Sequence, residues 1–216
     1  MTSPRATAGA RAAIVLVRHG ETELNAARIL QRPETPLSAR GLEQAGRLAA
    51  RLAGLPVGRV LSSDYARARM TAECVARATG APLELESLLR ERNFGDLRGT
   101  PYAELEVDPF APGYVPPGGE SWEELHARAD RAWEQVVQVS GRTPGHLVVV
   151  THGLVCHSLV SRRFALPPGV PAPPGYANTS VTWVDPEPPW RVAALNCTAH
   201  LELRSGQPAG ERSPEA

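Results

Sequence analysis

Two short apolar runs, Ala12 to Val17 and Leu147 to Val150, each stop at a histidine followed by glycine: Arg18-His19-Gly20 after the first, Thr151-His152-Gly153 after the second. Runs this apolar read as strands buried in a sheet. In open α/β sheets ligands bind at the carboxyl ends of the strands, so the two His-Gly pairs point to one shared site on one sheet edge. A glycine directly after the imidazole also lets a bulky group approach the backbone.

Between these runs the periodicity alternates. Leu42, Ala45, Leu48, Ala49 and Leu52 recur at helical spacing, with Ser38 as N-cap and Gly54 at the exit. Val57 to Leu61 reads as a strand, and Ser62-Ser63-Asp64 reads as the cap of a helix with Tyr65, Ala68, Ala72, Val75 and Ala76 on one face. Gly80-Ala81-Pro82 ends that helix, and Leu83 to Leu85 is a short strand. A long helix starts at Ser121 and buries Trp122, Leu125, Ala129, Trp133, Val136 and Val137; a further helix is expected over 154–165, and strands over Thr179 to Val184 and Val192 to Leu195. Strands alternating with helices predict an α/β fold, a three-layer α/β/α sandwich on a mainly parallel central sheet. The proline-rich stretch 100–119 breaks the pattern and reads as a cap or lid loop, while Pro167 to Gly175 reads as a surface connection.

With 216 residues, 42% of them hydrophobic, one domain is expected over 11–204, between flexible tails at 1–10 and 205–216. The run Ala12 to Val17 is too short for a signal-peptide core, and nothing reaches membrane-spanning length, so a cytoplasmic location is expected. The 23 basic and 23 acidic residues cancel, which leaves no global field for nucleic acid or an anionic membrane. All the basic residues are arginine, so phosphate-loop lysines and Schiff-base chemistry are excluded. Cys74, Cys156 and Cys197 form no C-x-x-C pair, and the six histidines show no metal-ligand spacing; no metal and no cofactor are expected. The oligomeric state is left open, a dimer included.

A site with Arg18 and two histidines but no lysine suits a tetrahedral oxyanion such as phosphoryl, which arginine grips bidentately. Arg67, one turn into a helix that follows a strand, is a natural second clamp, whereas Arg69 points elsewhere. Only a neutral imidazole can attack phosphorus, and neighbouring guanidiniums push it in that direction. His19, beside Arg18 and Gly20, is the candidate nucleophile; His152 is the candidate hydrogen-bond donor to the phosphoryl oxygens. The leaving alkoxide needs a carboxylic acid, for which Glu91 and Glu120 are both candidates.

Arg18-His19-Gly20-Glu21-Thr22-x-x-Asn25, Pro36-Leu37-Ser38, Ser62-Ser63-Asp64-x-x-Arg67-Ala68, Glu91-x-x-Phe94-Gly95, Pro117-Gly118-Gly119-Glu120-Ser121, Thr151-His152-Gly153 and Asn178-Thr179-Ser180-Val181, in that order, resemble the histidine phosphatase (phosphoglycerate mutase-like) superfamily across about residues 12–203. The resemblance implies a phosphohistidine on His19, a phosphate pocket of Arg18, Arg67 and His152 with Asn25 contributing, and Glu91 as proton donor. Glu120 is then a hydrogen-bonding neighbour or substrate contact, and Glu21 a structural residue near the pocket. Two departures stand out: the loop 31–36 lacks the Gly and Asp expected there, and Cys197 stands where relatives commonly have Asp. These leave substrate-loop shape and C-terminal packing open.

The same phosphohistidine serves a hydrolase or a mutase. A mutase must grip polyanions away from water and needs extra cations. Between Gly99 and Arg128 there is no Arg, against Glu104, Glu106, Asp108, Glu120, Glu123 and Glu124. A metal-independent phosphomonoesterase acting on a small phosphorylated metabolite is therefore expected, with Phe110, Tyr114 and Val115 as specificity contacts. A bisphosphoglycerate-dependent phosphoglycerate mutase is the alternative, and a non-catalytic binding module a third reading.

Overall fold

The computed structural model describes residues 12–202; the tails expected at 1–10 and 205–216 fall outside them. The chain runs β1 (Ile14–Arg18), α1 (Glu23–Ala26), α2 (Ala39–Leu52), β2 (Val57–Ser62), α3 (Ala66–Thr79), β3 (Leu83–Leu85), α4 (Trp122–Ser140), β4 (His146–Thr151), α5 (Gly153–Arg162), β5 (Val181–Val184) and β6 (Val192–Cys197). The six strands form one sheet in the order β3-β2-β4-β1-β5-β6. Pairing is parallel from β3 to β1 and antiparallel from β1 to β5 and β5 to β6.

Strand alternation sends successive residues to opposite faces, and both faces of this sheet are covered. Ile14 and Leu16 join Leu147 and Val149 against Leu125, Ala129 and Trp133 of α4 and Val155 and Leu159 of α5. Val15 and Val17 join Val148 and Val150 against Leu48 and Leu52 of α2 and Ala68, Ala72 and Val75 of α3. Each such aliphatic side chain, fully buried, contributes roughly 1.5–3 kcal/mol, which is why the middle of β1 and of β4, Ile14 to Val17 and Leu147 to Val150, is wholly apolar. Helix starts follow their expected caps at Ser38, whose hydroxyl accepts from Gly41 N, and at Ser121, which forms a reciprocal capping box with Glu124. Among the described residues no helix is long and apolar enough to cross a membrane.

Several local expectations are corrected. The strand expected from Thr179 starts at Val181, because Thr179 takes a left-handed backbone with φ 54° that ends extended pairing. The last helix of the core stops at Arg162 and β6 runs on to Cys197. Ser62-Ser63-Asp64 does not cap α3, whose N-cap is Tyr65 without a side-chain bond. Gly20 is needed for a different reason from ligand approach: a Cβ there would sit 2.7 Å from the Gly41 carbonyl oxygen, so this glycine lets α2 dock against the site.

The lid, 100–119, contains one short 3₁₀ helix, Tyr102–Glu104, and otherwise runs through turns such as Asp108 to Ala111 and Pro116 to Gly119. It is held from outside by Arg92, whose side chain is all but fully buried. That guanidinium donates Nε to the Glu120 carbonyl at 2.9 Å, Nη1 to the Pro109 carbonyl at 2.9 Å and Nη2 to the Tyr114 carbonyl at 2.6 Å. It also lies 4.4 Å from the centre of the Trp122 ring. One cation thus gathers three loop carbonyls that no helix or strand satisfies.

Candidate active site

Strand order brings the site together. β2, β4 and β1 are neighbours, and the first residue after each is Ser63, His152 and His19; backbone bonds from Ser63 N to Val150 O and from His19 N to Thr151 O, both 2.9 Å, lock them in line across the carboxyl edge. The His19 and His152 rings are 5.1 Å apart, and both are buried.

The hydrogen bonds assign the protons. His19 Nδ1 lies 2.6 Å from the Gly20 carbonyl, which can only accept, so Nδ1 carries the hydrogen and Nε2 presents a lone pair. Arg67 Nε donates to that lone pair at 3.2 Å. Burial, then the Arg67 and Arg18 charges, hold the His19 imidazole well below its ordinary pKa, so it is neutral at physiological pH. His152 is held neutral for the same reasons, burial first and Arg67 next. Its Nε2 lies 2.9 Å from Ser63 Oγ, which also accepts from Tyr65 N at 3.3 Å. The Ser63 hydroxyl is buried, and among the described residues the acceptor it meets is His152 Nε2. Donating there places the single imidazole proton of His152 on Nδ1, a buried atom that has no partner among the described residues.

Arg18 is fixed by the Tyr176 carbonyl on Nη1 and by Asn25 Oδ1 at 3.2 Å on Nη2. Its Nε is buried and without a partner among the described residues. Asn25 Oδ1 also accepts from Asn178 Nδ2 at 3.0 Å, and the same amide donates to the His19 carbonyl at 3.1 Å, so Asn178 ties the His19 backbone to the Arg18 guanidinium. Arg67 is anchored by Nη1 on the Arg32 carbonyl at 3.0 Å and lies 5.3 Å from the Tyr65 ring centre. Burial brings the Arg67 guanidinium down to about 10 against the opposing pull of Glu91, which leaves it cationic at neutral pH. Burial likewise lowers Arg18, with Glu91 opposing it. The buried donors Arg18 Nε and His152 Nδ1, together with the N-terminus of α5, form a cradle suited to a tetrahedral anion.

Glu91 stands beside this cradle. Its Oε2 accepts from Leu154 N at 3.3 Å and Oε1 from its neighbour Arg92 N at 3.0 Å. A Cβ on Gly153 would lie 3.6 Å from Arg18 Nε and 3.9 Å from Glu91 Oε2, so glycine keeps the space between clamp and carboxylate open. Glu120 does not join them. Its two oxygens take Arg128 Nε at 2.8 Å and Nη2 at 2.7 Å, and Arg128 reaches on to the carbonyls of Leu88, Arg90 and Glu91. Of the two candidate acids, Glu91 is therefore the one at the cradle, and Glu120 holds the segment that carries it. Glu21 also points away, accepting from Ser38 Oγ at 3.3 Å and pairing with Arg40 at 3.4 Å.

A cleft of about 980 Å³ opens from the cradle. Phe110 lines it, in edge contact with Phe94 at 5.6 Å and Tyr102 at 5.5 Å between ring centres. Tyr114 and Val115 do not line it; Tyr114 serves through its carbonyl on Arg92. Sequence reasoning missed Gln31, Tyr65, Arg98, His126 and His157, which all face the cleft, and Ser63 and Asn178 behind it. The available signal was that Ser63, Tyr65 and Asn178 stand inside the motif segments and Gln31 opens the loop 31–36; Arg98, His126 and His157 are isolated in sequence. Arg92, Arg98 and Arg162 reach the cleft from outside the lid, so its lack of arginine does not make the cleft free of cations. Arg92 is held by three carbonyls, Arg98 donates to Tyr65 Oη at 3.1 Å, and Arg162 to Asp130 at 3.3 Å. Among the described residues no group of three or more His, Cys, Asp or Glu is placed to hold a metal ion.

The profile of the histidine phosphatase superfamily (branch 1) matches residues 14–198. A probable phosphoglycerate mutase, GpmB, of Escherichia coli is 33% identical over 207 residues, covering 88% of this chain and 94% of its own length. The structure of a mycobacterial glucosyl-3-phosphoglycerate phosphatase superposes with a TM-score of 0.71 at 29% identity over 86% of this chain and 98% of its own. Bacillus stearothermophilus YhfR superposes with a TM-score of 0.75 at 29% identity over 88% of this chain and 100% of its own.

Proposed function

The chain belongs to the histidine phosphatase superfamily, and from that premise we propose that it hydrolyses a small phosphorylated metabolite, a phosphoric monoester, through a phosphohistidine on His19 and without a metal ion. The observation that carries this reading is the pairing of a neutral His19, its Nε2 lone pair turned to Arg67, with two buried donors that lack partners among the described residues, Arg18 Nε and His152 Nδ1. On substrate binding, Arg67 exchanges its bond to Nε2 for one to a phosphoryl oxygen, which frees the lone pair. Nε2 then attacks phosphorus while the bond to the ester oxygen breaks. The departing alkoxide takes a proton from Glu91, and the alcohol leaves. The imidazolium so formed is neutralised by the phosphoryl charge it carries, and its Nδ1–H stays on the Gly20 carbonyl. Arg18, Arg67, the His152 Nδ1–H and the start of α5 meet the charge on the non-bridging oxygens. Water next gives a proton to the Glu91 carboxylate and attacks phosphorus; the P–N bond breaks, and inorganic phosphate departs from a neutral His19 and a protonated Glu91.

One observation favours a second reading: the Escherichia coli relative is named a probable phosphoglycerate mutase. In that reading the phosphoryl group returns to a bound phosphoglycerate instead of water. The cations of the cleft outside the cradle already hold protein partners, which supports hydrolysis over the capture of a second anionic group. Phosphate release from sugar phosphates, phosphoglycerates and an aryl phosphate in the presence of a chelator tests the proposal, with and without 2,3-bisphosphoglycerate. An acid-labile, base-stable phosphoryl label on the parent that His19→Ala lacks is expected. Activity seen only as bisphosphate-dependent isomerisation, or lost on chelation, overturns it.

A further inference from the structure

We infer that the leaving group accepted by this site is an uncharged, hydroxyl-rich alcohol of about two-ring length, bound along α5 between the phosphate cradle and the first turns of α4; the inference rests on the phosphomonoesterase reading above. Gly153 and Leu154, at the start of α5, adjoin Arg18 and Glu91. His157 and Ser161 line the same cleft, and with Gly153 they repeat every four residues along one face of the helix. From Gly153 to Ser161 is eight residues, so at the helical rise the floor of the cleft extends about 12 Å from the cradle. A three-carbon acid esterified to phosphate reaches only about 5 Å beyond the ester oxygen at ordinary bond lengths. Such a ligand would leave the outer half of a cleft of about 980 Å³ unused.

The chemistry of the outer half names the class. Its facing wall is Trp122 and His126 on α4, and His126 Nδ1 is joined to Ser158 Oγ at 2.8 Å, which fixes the two helices to each other there. Arg162 is drawn to Asp130, which Arg163 also engages at 2.7 Å, and Glu123 adds a carboxylate. The far end therefore offers donors and acceptors of both kinds without a cation reserved for a second anion. Alcohol hydroxyls, which both donate and accept, satisfy such a wall, while a carboxylate or second phosphate would face Glu123. Phe110, stacked edge-on with Phe94 and Tyr102, offers an apolar surface for the C–H face of a ring.

Calorimetric binding to a His19→Ala protein, which cannot turn over, tests this with two esters of primary alcohols: glycerol 1-phosphate and a disaccharide 6-phosphate. The disaccharide ester is expected to bind at least tenfold more tightly. Ser161→Trp in the same background, at an exposed position that fills the outer cleft, is expected to abolish that advantage and leave glycerol phosphate within twofold. Equal affinities of the two esters, or a tryptophan that weakens both alike, overturn the inference. Failure of the phosphatase reading is separate: it appears as no phosphate release by the parent from either ester, while the binding preference and its loss in Ser161→Trp remain.

Discussion

Ser63→Ala removes one hydroxyl and, by the hydrogen bonds described above, the restraint that keeps the His152 proton on Nδ1. A hydrogen bond between uncharged groups contributes a net of about 1 kcal/mol. Losing that bias shifts the balance between the two tautomers about fivefold, since 1.4 kcal/mol is a factor of ten, and the mixture that results lowers kcat by about two- to fivefold. Deleting the donor outright with His152→Ala is the larger loss, about 10²- to 10³-fold, the usual effect of removing one donor to a developing anion. The alanine also leaves Tyr65 N and His152 Nε2 without their shared partner, which costs about 1–3 kcal/mol of stability. At roughly 2–4 °C per kcal/mol for a chain of this size, the melting temperature falls measurably but the protein stays folded at assay temperature. Ser63→Thr keeps the hydroxyl and is expected to recover most of the rate. The assay is steady-state phosphate release paired with ¹⁵N spectra of the His152 ring, in which the parent shows a protonated Nδ1 and Ser63→Ala a tautomer mixture. A folded Ser63→Ala protein with parental kcat, or a parent with its proton on Nε2, refutes the reasoning.

Three further outcomes follow. Because burial and two guanidiniums hold His19 well below its ordinary value, protonation of the nucleophile does not limit kcat/KM near pH 6.5, and turnover persists to about pH 5.5 once the substrate's own ionisation near pH 6 is taken into account; an acidic limb at or above pH 6.5 contradicts this. Arg92→Ala releases two lid carbonyls and that of Glu120 just after the lid, and with charge-assisted bonds each contributing about 1.5–3 kcal/mol the lid amides are expected to lose hydrogen-exchange protection while β1 and β4 keep theirs; equal protection in both proteins rules the anchor out. His19, His152 and His200 are all held neutral in the fold, His200 at about 4 through burial and Arg51, so the unfolded chain binds more protons below pH 6.5; melting temperature is expected to be flat above pH 7 and to fall from 6.5 toward 4, and a flat profile over that range sinks the assignment.

Much of the site was legible because it depends on local rules. The run Ile14 to Val17 is buried on both faces, and a polar pair directly after it must emerge at the sheet edge. His19, His152, Arg18 and Arg67 could therefore be assigned to one edge before any contact was known, and the fold class followed from alternation of strand and helix. What was not legible comes from long-range contacts. Ser63 looked like a helix cap because serine before an apolar run usually is one; its hydroxyl turns instead to an imidazole 89 positions later. Residue type and spacing left Glu91 and Glu120 equal as acids, with the resemblance alone favouring Glu91, and in the fold it is Arg128, gripping Glu120 with both arms of its guanidinium, that separates them. Arg92 belongs to no motif or periodic face in the sequence, yet its guanidinium organises a lid whose own residues carry no periodicity.

The amino-acid pattern alone decided which residues lie at strand ends and which helical faces are apolar, since both depend on spacing along a few consecutive residues. Tertiary structure decided that Ser63, His152 and His19 stand side by side, in an order that differs from their order in the chain. It also decided which carboxylate stands beside the two histidines and Arg18, and how far the cleft runs along α5. These choices belong to strand order and to pairings between distant segments, and a hydrogen bond across 89 residues leaves no periodic trace in either segment.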